Sequence, residues 1–158
     1  MEKPLIGTLI VGHDVITLKD LCADREFRTF EVVLNNRRVG AISSRISDQP
    51  KFSVMPGTLA LWMHKDAHLL NLIEGTLWHH RLPDEILSVY AEKGSYIFVM
   101  ESSIEVRRMG DWSLVDHWDH DDAILSADFN NKDLVVTDLH QRNYRVAVTN
   151  DSLETTRI

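Results

Sequence analysis

From Thr58 onward the chain repeats one pattern: a short apolar run, a polar turn, a second run about ten residues after the first began, then a third. The runs open at Leu59, Ile86 and Ile124, resume at Leu69, Tyr96 and Leu134, and finish near Leu77, Ile104 and Tyr144. Lys65-Asp66, Glu92-Lys93-Gly94 and Asn130-Asn131-Lys132 supply the intervening turns. Ile86-Leu87-Ser88 and Ile124-Leu125-Ser126 match letter for letter, 38 residues apart. A fixed period of this size, made of strand-length pieces, points to stacked antiparallel sheets, because one unit alone cannot cover its own apolar face. The first two units start only 27 residues apart. The shortfall equals one strand and its turn. That strand is present as Trp112 to Trp118, but after Trp78-His79-His80 only Arg81-Leu82-Pro83-Asp84-Glu85 remain. The spacing therefore predicts three strands in the first unit and four in the second.

Several central strands are apolar at successive positions: Tyr96-Ile97-Phe98-Val99-Met100 and Leu134-Val135-Val136. A sheet with one wet face alternates apolar and polar residues; an unbroken run predicts burial on both faces. The N-terminal third does not visibly repeat. Leu5 to Val11 reads as a strand ended by Gly12, and Phe27 to Leu34 as another. Asn35-Asn36 then suits a tight hairpin turn, since asparagine tolerates positive φ, and Arg38 to Ser44 is the return strand. Thr17-Leu18-Lys19-Asp20 has capping-box spacing, which predicts a short helix with Leu18, Leu21 and Cys22 on one face. Val15 and Ile16 fit a strand equally well. Arg45 to Gly57, with two prolines, is expected to be a loop or irregular crossing.

Three segments carry a family resemblance: Asp119-His120 through Ile124-Leu125-Ser126 and Asp128-Phe129, then Leu134 to Thr137, then Tyr144 to Val146. They resemble β-propeller blades of the WD-repeat kind over about residues 58–148. That family has Gly-His where this chain has Asp119-His120, and Trp-Asp where it has Val146-Ala147. The resemblance implies a mainly β protein of antiparallel blade-like sheets. At ~40 residues per blade, the chain reaches four blades at most, a small or incomplete β-propeller. A two-sheet β-sandwich is the alternative. A length of 158 residues suits a single domain.

Charge is the second constraint. The whole chain carries a formal −7. The segment from Asp111 to Asp138 holds eight aspartates and one base, Lys132, so it alone accounts for −7 and the remainder is balanced. Like charges this close repel by about 1 kcal/mol per near pair in high dielectric. A base, a cation or a partner is expected to offset them. The candidate partner-binding residues are Asp111, Trp112, Asp116, Trp118, Asp119, Asp121, Asp122, Asp133 and Asp138. The two tryptophans are included because they flank an outer strand, and interface hot spots favour tryptophan.

Other chemistry is weakly signalled. Cys22 is the only cysteine, so neither an internal disulfide nor a cysteine-pair zinc site is expected. A reduced cytoplasm is the expected compartment; the N-terminus does not read as a secretory signal, and there is no apolar run near ~20 residues. His117 and His120 lie near four aspartates, which raises zinc or calcium, but the run lacks the glycine of an EF-hand loop. His64, His68, His79 and His80 carry no ligand motif. Glycines occur singly, which excludes a phosphate-cradling loop, and no catalytic motif is present. No cofactor and no metal is expected. A pI near 5.5 argues against nucleic acid. The expected function is a non-enzymatic protein-binding protein that docks a basic partner. Its most concrete form is an immunity protein masking a nuclease-type toxin, a comparison by type rather than motif. The alternatives are a self-associating β module and a metal-dependent enzyme using the His117–Asp122 region.

Overall fold

The computed structural model describes residues 7–45, 49–130, 133–149 and 152–158. The described residues form β1 (Gly7–Val11), β2 (Asp14–Ala23), β3 (Phe27–Leu34), β4 (Arg37–Arg45), β5 (Lys51–Met55), β6 (Thr58–Met63), β7 (Asp66–Asn71) and β8 (Thr76–Arg81). They continue with β9 (Ile86–Glu92), β10 (Ser95–Met100), β11 (Ser103–Arg108), β12 (Leu114–Asp119), β13 (Ile124–Asn130), β14 (Asp133–Asp138), β15 (Asn143–Val148) and β16 (Leu153–Arg157). Every four consecutive strands make one antiparallel meander: β1–β4, β5–β8, β9–β12 and β13–β16. The chain divides into two compact units, Met1–Pro83 and Asp84–Ile158, with two sheets in each.

Three local expectations change. The short helix at Thr17 is a strand. Val15, Ile16 and Thr17 are β-branched, and β2 is paired on both sides, to β1 and to β3. Ile16 and Leu18 alternate into the core, while Leu21, on the expected helical face, is 48% exposed. The stretch Arg45–Gly57 is not all irregular: Lys51–Met55 forms β5 and pairs with β6 through a two-residue turn at Pro56-Gly57, where Gly57 takes φ 68°. This strand also alters the repeat. Leu59 belongs to the second strand of its sheet, whereas Ile86 and Ile124 open the first strands of theirs. The sheet predicted to have three strands has four, because its fourth precedes the repeat instead of following it. The strand at the N-terminus is described from Gly7, and Asn131-Lys132 lie outside the described residues.

In the first unit, Ile16, Leu18, Phe30, Val32, Leu34 and Ile42 from one sheet pack with Leu59, Leu61, Met63 and Leu70 from the other. Burying each such side chain fully contributes about 1.5–3 kcal/mol. All six residues of β6 are buried, as an unbroken apolar run requires. The sheets approach closely at Gly40, where a Cβ would sit 2.7 Å from Leu77 Cδ2. Asn35 and Asn36, both at positive φ, turn β3 into β4. The Asn35 side chain accepts from Val15 N at 2.8 Å and donates to Asp14 Oδ1 at 2.8 Å, tying that turn to the start of β2.

In the second unit, Ile97, Val99, Ile104 and Val106 pack with Ile124, Leu134, Val136, Val146 and Val148. β10 is buried on both faces, as expected. β14 is not: Leu134 and Val136 are buried but Val135 is only half-buried, so the strand alternates. One face meets the core and the other carries Asp133, Val135 and Thr137.

Candidate functional site at the loop end of the second unit

Strand register decides which charges of the second unit meet. Met100 pairs with Ile86, Ser103 with Asp119, and Ile124 with Asp138. The beginnings of β9, β11, β13 and β15 therefore share one end with the finishes of β10, β12 and β14. The linker from β12 to β13 is laced to that end by backbone bonds, His120 N to Ser102 O at 2.9 Å and Ile124 N to Glu101 O at 2.6 Å. Glu101 N donates to Glu85 O at 2.9 Å, and Leu139 N to Ala123 O at 2.8 Å. Asp84, Glu85, Glu101, Asp119, Asp121, Asp122 and Asp138 are thus gathered at one end. Arg142, in the turn after β14, and Arg157, which pairs with Tyr144 near the start of β15, are described arginines at the same end.

Two of these carboxylates are spent inside the molecule. Asp138 is 1% exposed. It accepts from His120 Nε2 at 2.9 Å, from the backbone N–H groups of His140 and Arg142 at 3.0 and 2.9 Å, and from Arg142 Nε at 2.7 Å. Burial pushes its carboxyl up, but the His120 bond and the Arg142 backbone and side-chain bonds prevail and hold it well below the usual range. Asp122 bonds His140 Nδ1 and Ala123 N, with Arg142 Nη2 at 3.4 Å. The His140 bond lowers its carboxyl in spite of desolvation. The Asp138 bond in turn raises the Arg142 guanidinium.

Asp122, Asp138 and His140 offer ligand atoms within 4.8 Å of one another, a group that sequence reading missed because it centred on His117 and His120. Arg142 already donates to both carboxylates, so the place a metal cation would take is claimed by a guanidinium. His117 and His120 do not converge. His117 is exposed, 3.3 Å from Asp119, while the His120 side chain is 8% exposed and bonded to Asp138.

The remaining sequence-selected residues separate. Asp111 caps its own turn, accepting from Ser113 N at 2.9 Å and Ser113 Oγ at 2.7 Å; these bonds lower its carboxyl. Asp133 opens β14, 3.5 Å from Arg145 Nε. Both sit at the opposite end of the strands, about 20 Å away for six residues. Asp116 accepts from Leu153 N at 2.8 Å and so fastens β16 to β12. The single acidic patch read from sequence is therefore corrected. Asp119 and Asp121 are exposed at the loop end, Asp122 and Asp138 are internal there, and Asp111, Asp116 and Asp133 lie elsewhere.

The two selected tryptophans, Trp112 and Trp118, are half-buried and make internal contacts. Trp118 stacks on His120 with ring centroids 4.7 Å apart, meets Tyr144 at 5.5 Å and packs on the core. Trp112 lies against Phe98 and Tyr96, under the Arg107 guanidinium. Both make packing contacts: Trp118 on the outer strand β12, which β16 meets through Asp116 and Leu153, and Trp112 in the turn before it through its ring neighbours. Leu125 and Leu139, 50% and 55% exposed, are apolar side chains at the acidic end, as is Ile158 beside Asn143. Asp84, Glu85 and Glu101 were missed because they precede the acidic run. Their signal was positional: both segments abut strand ends that the repeat had already located.

No protein-family model matches the chain, and no curated protein sequence matches it. Solved structures do resemble it. Sqt1 of Saccharomyces cerevisiae aligns at TM-score 0.60 and 12% identity, over 89% of this chain and 43% of that one. A chain of the mitotic checkpoint complex aligns at 0.61 and 9%, over 94% and 49%. HIRA(644-1017) aligns at 0.52 and 8%, over 99% and 55%. The chain spans about half the length of these structures. Identity this low speaks to fold alone, and the fold is all-β, made of antiparallel four-stranded blades of the β-propeller kind.

Proposed function

We propose that the chain is a non-enzymatic protein-binding module that docks a basic partner on the loop end of its second unit. The observation that carries this reading is the convergence of Glu85, Glu101, Asp119 and Asp121, all exposed, around Leu125 and Leu139. Exposed carboxylates steer a cationic surface and speed association, while a few apolar side chains give the contact something to desolvate. In its most concrete form the partner is a nuclease-type toxin met in the cytoplasm, whose basic substrate groove an anionic rim would mask.

The test is capture of the products of adjacent genes by the whole chain, with Glu101→Lys/Asp119→Lys/Asp121→Lys beside it and Asp111→Lys/Asp133→Lys as a control. The reading expects a basic protein that is retained at low salt and released by 0.5 M NaCl. The loop-end variant loses it and the control keeps it. Equal capture by all three proteins, or recovery of no basic protein, rejects it. Inhibition of a captured nuclease identifies the immunity form.

A further inference from the structure

The first unit contains a polar cleft that the reading above does not use. β4 presents Ser43 and Arg45; β7 presents Asp66 and His68; β8 presents His79 and Arg81. Asp66 pairs with Arg81, and His68 with His79, directly across β7 and β8, so these four share one face. The two sheets touch at Gly40 and Leu77 and leave space farther along. That space measures about 350 Å³ beside His68 and His79, and about 260 Å³ between Arg45, His64 and Arg81.

A buried histidine lines it. His68 is 6% exposed, and its Nδ1 has no hydrogen-bond partner. Native proteins satisfy nearly all buried polar groups, so an orphaned nitrogen on a ring that lines the cleft is an exception that calls for an explanation. Among the described residues, Asp66 is the one carboxylate lining the cleft, and it is already engaged by His79 Nε2 at 2.8 Å and Arg81 Nη1 at 3.1 Å. It orients those two groups instead of competing for a cation. A shared metal does not suit the geometry. His68 and His79 are stacked, with ring centroids 4.7 Å apart and planes 18° apart. Imidazole lone pairs lie in the ring plane, so two near-parallel rings do not converge on one ion.

We propose that this cleft binds a small oxyanion, a phosphate or a carboxylate group, clamped by Arg45 and Arg81 over a His68 N–H. Among the described residues, two guanidiniums against one occupied carboxylate leave a positive surplus, and arginine's planar fork matches both anions. Burial lowers the His68 imidazole to about 4, with the neighbouring His79 adding to the effect, so it is neutral at pH 7 and its N–H can turn to the ligand by choice of tautomer.

The experiment is a titration of the whole chain with inorganic phosphate and, separately, acetate, against chloride at matched ionic strength, read from the histidine ring NMR resonances. Saturable movement of the His68 and His79 signals with phosphate or acetate, and none with chloride, is expected; whichever anion acts identifies the ligand class. Arg45→Gln/Arg81→Gln, two exposed positions whose replacement leaves the core intact, should weaken the apparent Kd at least tenfold. Arg157→Gln in the second unit should not change it. No saturable movement with either anion, or an unchanged Kd in the double variant, overturns the proposal. So does a response to zinc without one to either anion.

Discussion

His120 Nε2 lies 2.9 Å from Asp138 Oδ2, and this bond ties the linker entering β13 to the turn leaving β14. The pair is buried, and Arg142 completes it from the same turn. Removing one partner strands the others without solvent, which is the costly way to break a buried network. Asp138→Ala is expected to lower the thermal midpoint by about 10 °C, and His120→Ala by roughly half that. The double variant should fall short of the sum, because both act on one network. Circular dichroism melts of the four proteins decide it. Strict additivity would show that the two side chains act independently.

Stability should fall in two stages on acidification. His68 is held neutral in the folded chain, down to about 4 against 6.5 in its ordinary state, by burial first and His79 second. Between these values the unfolded chain binds the proton and the folded one does not. The contribution is complete above pH 6.5 and is lost as pH falls to about 4, up to about 3 kcal/mol. Asp122 and Asp138 are depressed instead. Their contribution is intact above the ordinary carboxylate value and drains away as pH drops below ~4. Urea unfolding at pH 7, 6, 5 and 4 measures the first stage. His68→Gln should flatten it, and an unchanged slope would remove the assignment.

The contact of Gly40 with Leu77 makes a packing prediction. A Cβ at Gly40 meets Leu77 Cδ2 at 2.7 Å and Leu77 Cβ at 3.5 Å. Gly40→Ala should cost about 1 kcal/mol and Gly40→Val about 2–3 kcal/mol, by overpacking. Leu77→Ala in the Gly40→Val background should recover part of that loss. Failure to recover would locate the strain in the backbone of β4.

Trp118 and Trp78 should respond in opposite ways to truncation. Trp118 packs on the core of the second unit, whereas Trp78 is 53% exposed. Trp118→Ala is expected to cost about 2–4 kcal/mol, and Trp78→Ala less than about 1 kcal/mol. Denaturant midpoints of the two variants check this. Near-equal effects would undo the assignment of Trp118 to packing.

Much of this architecture was legible before any coordinates. A strand buried on both faces has no polar position to offer, so Tyr96 to Met100 announced a central strand from composition alone. Asn35-Asn36 announced its turn because few side chains accept positive φ. The repeat located the strands of the second unit for the same reason: each apolar run must end where the backbone turns. Short-range spacing misled where two structures share a local pattern. Thr17 to Asp20 fits a helix cap locally, and it is pairing with β1 and β3 on either side that supplies the hydrogen bonds of a strand. β5 was missed for a similar reason. Edge strands are short and weakly patterned, and its identity comes from pairing with β6.

Net charge and its position along the chain were fixed by residue order, and so was the choice of short strands and tight turns, because both depend on neighbours a few residues apart. Which aspartates share a surface was not. A six-residue strand carries its two ends about 20 Å apart, so Asp111 and Asp121 are close in sequence yet far in space, while Glu85 and Asp121 are the reverse. Strand register made that decision, together with Arg142, which withdrew Asp138 and Asp122 from the surface by offering them a partner indoors.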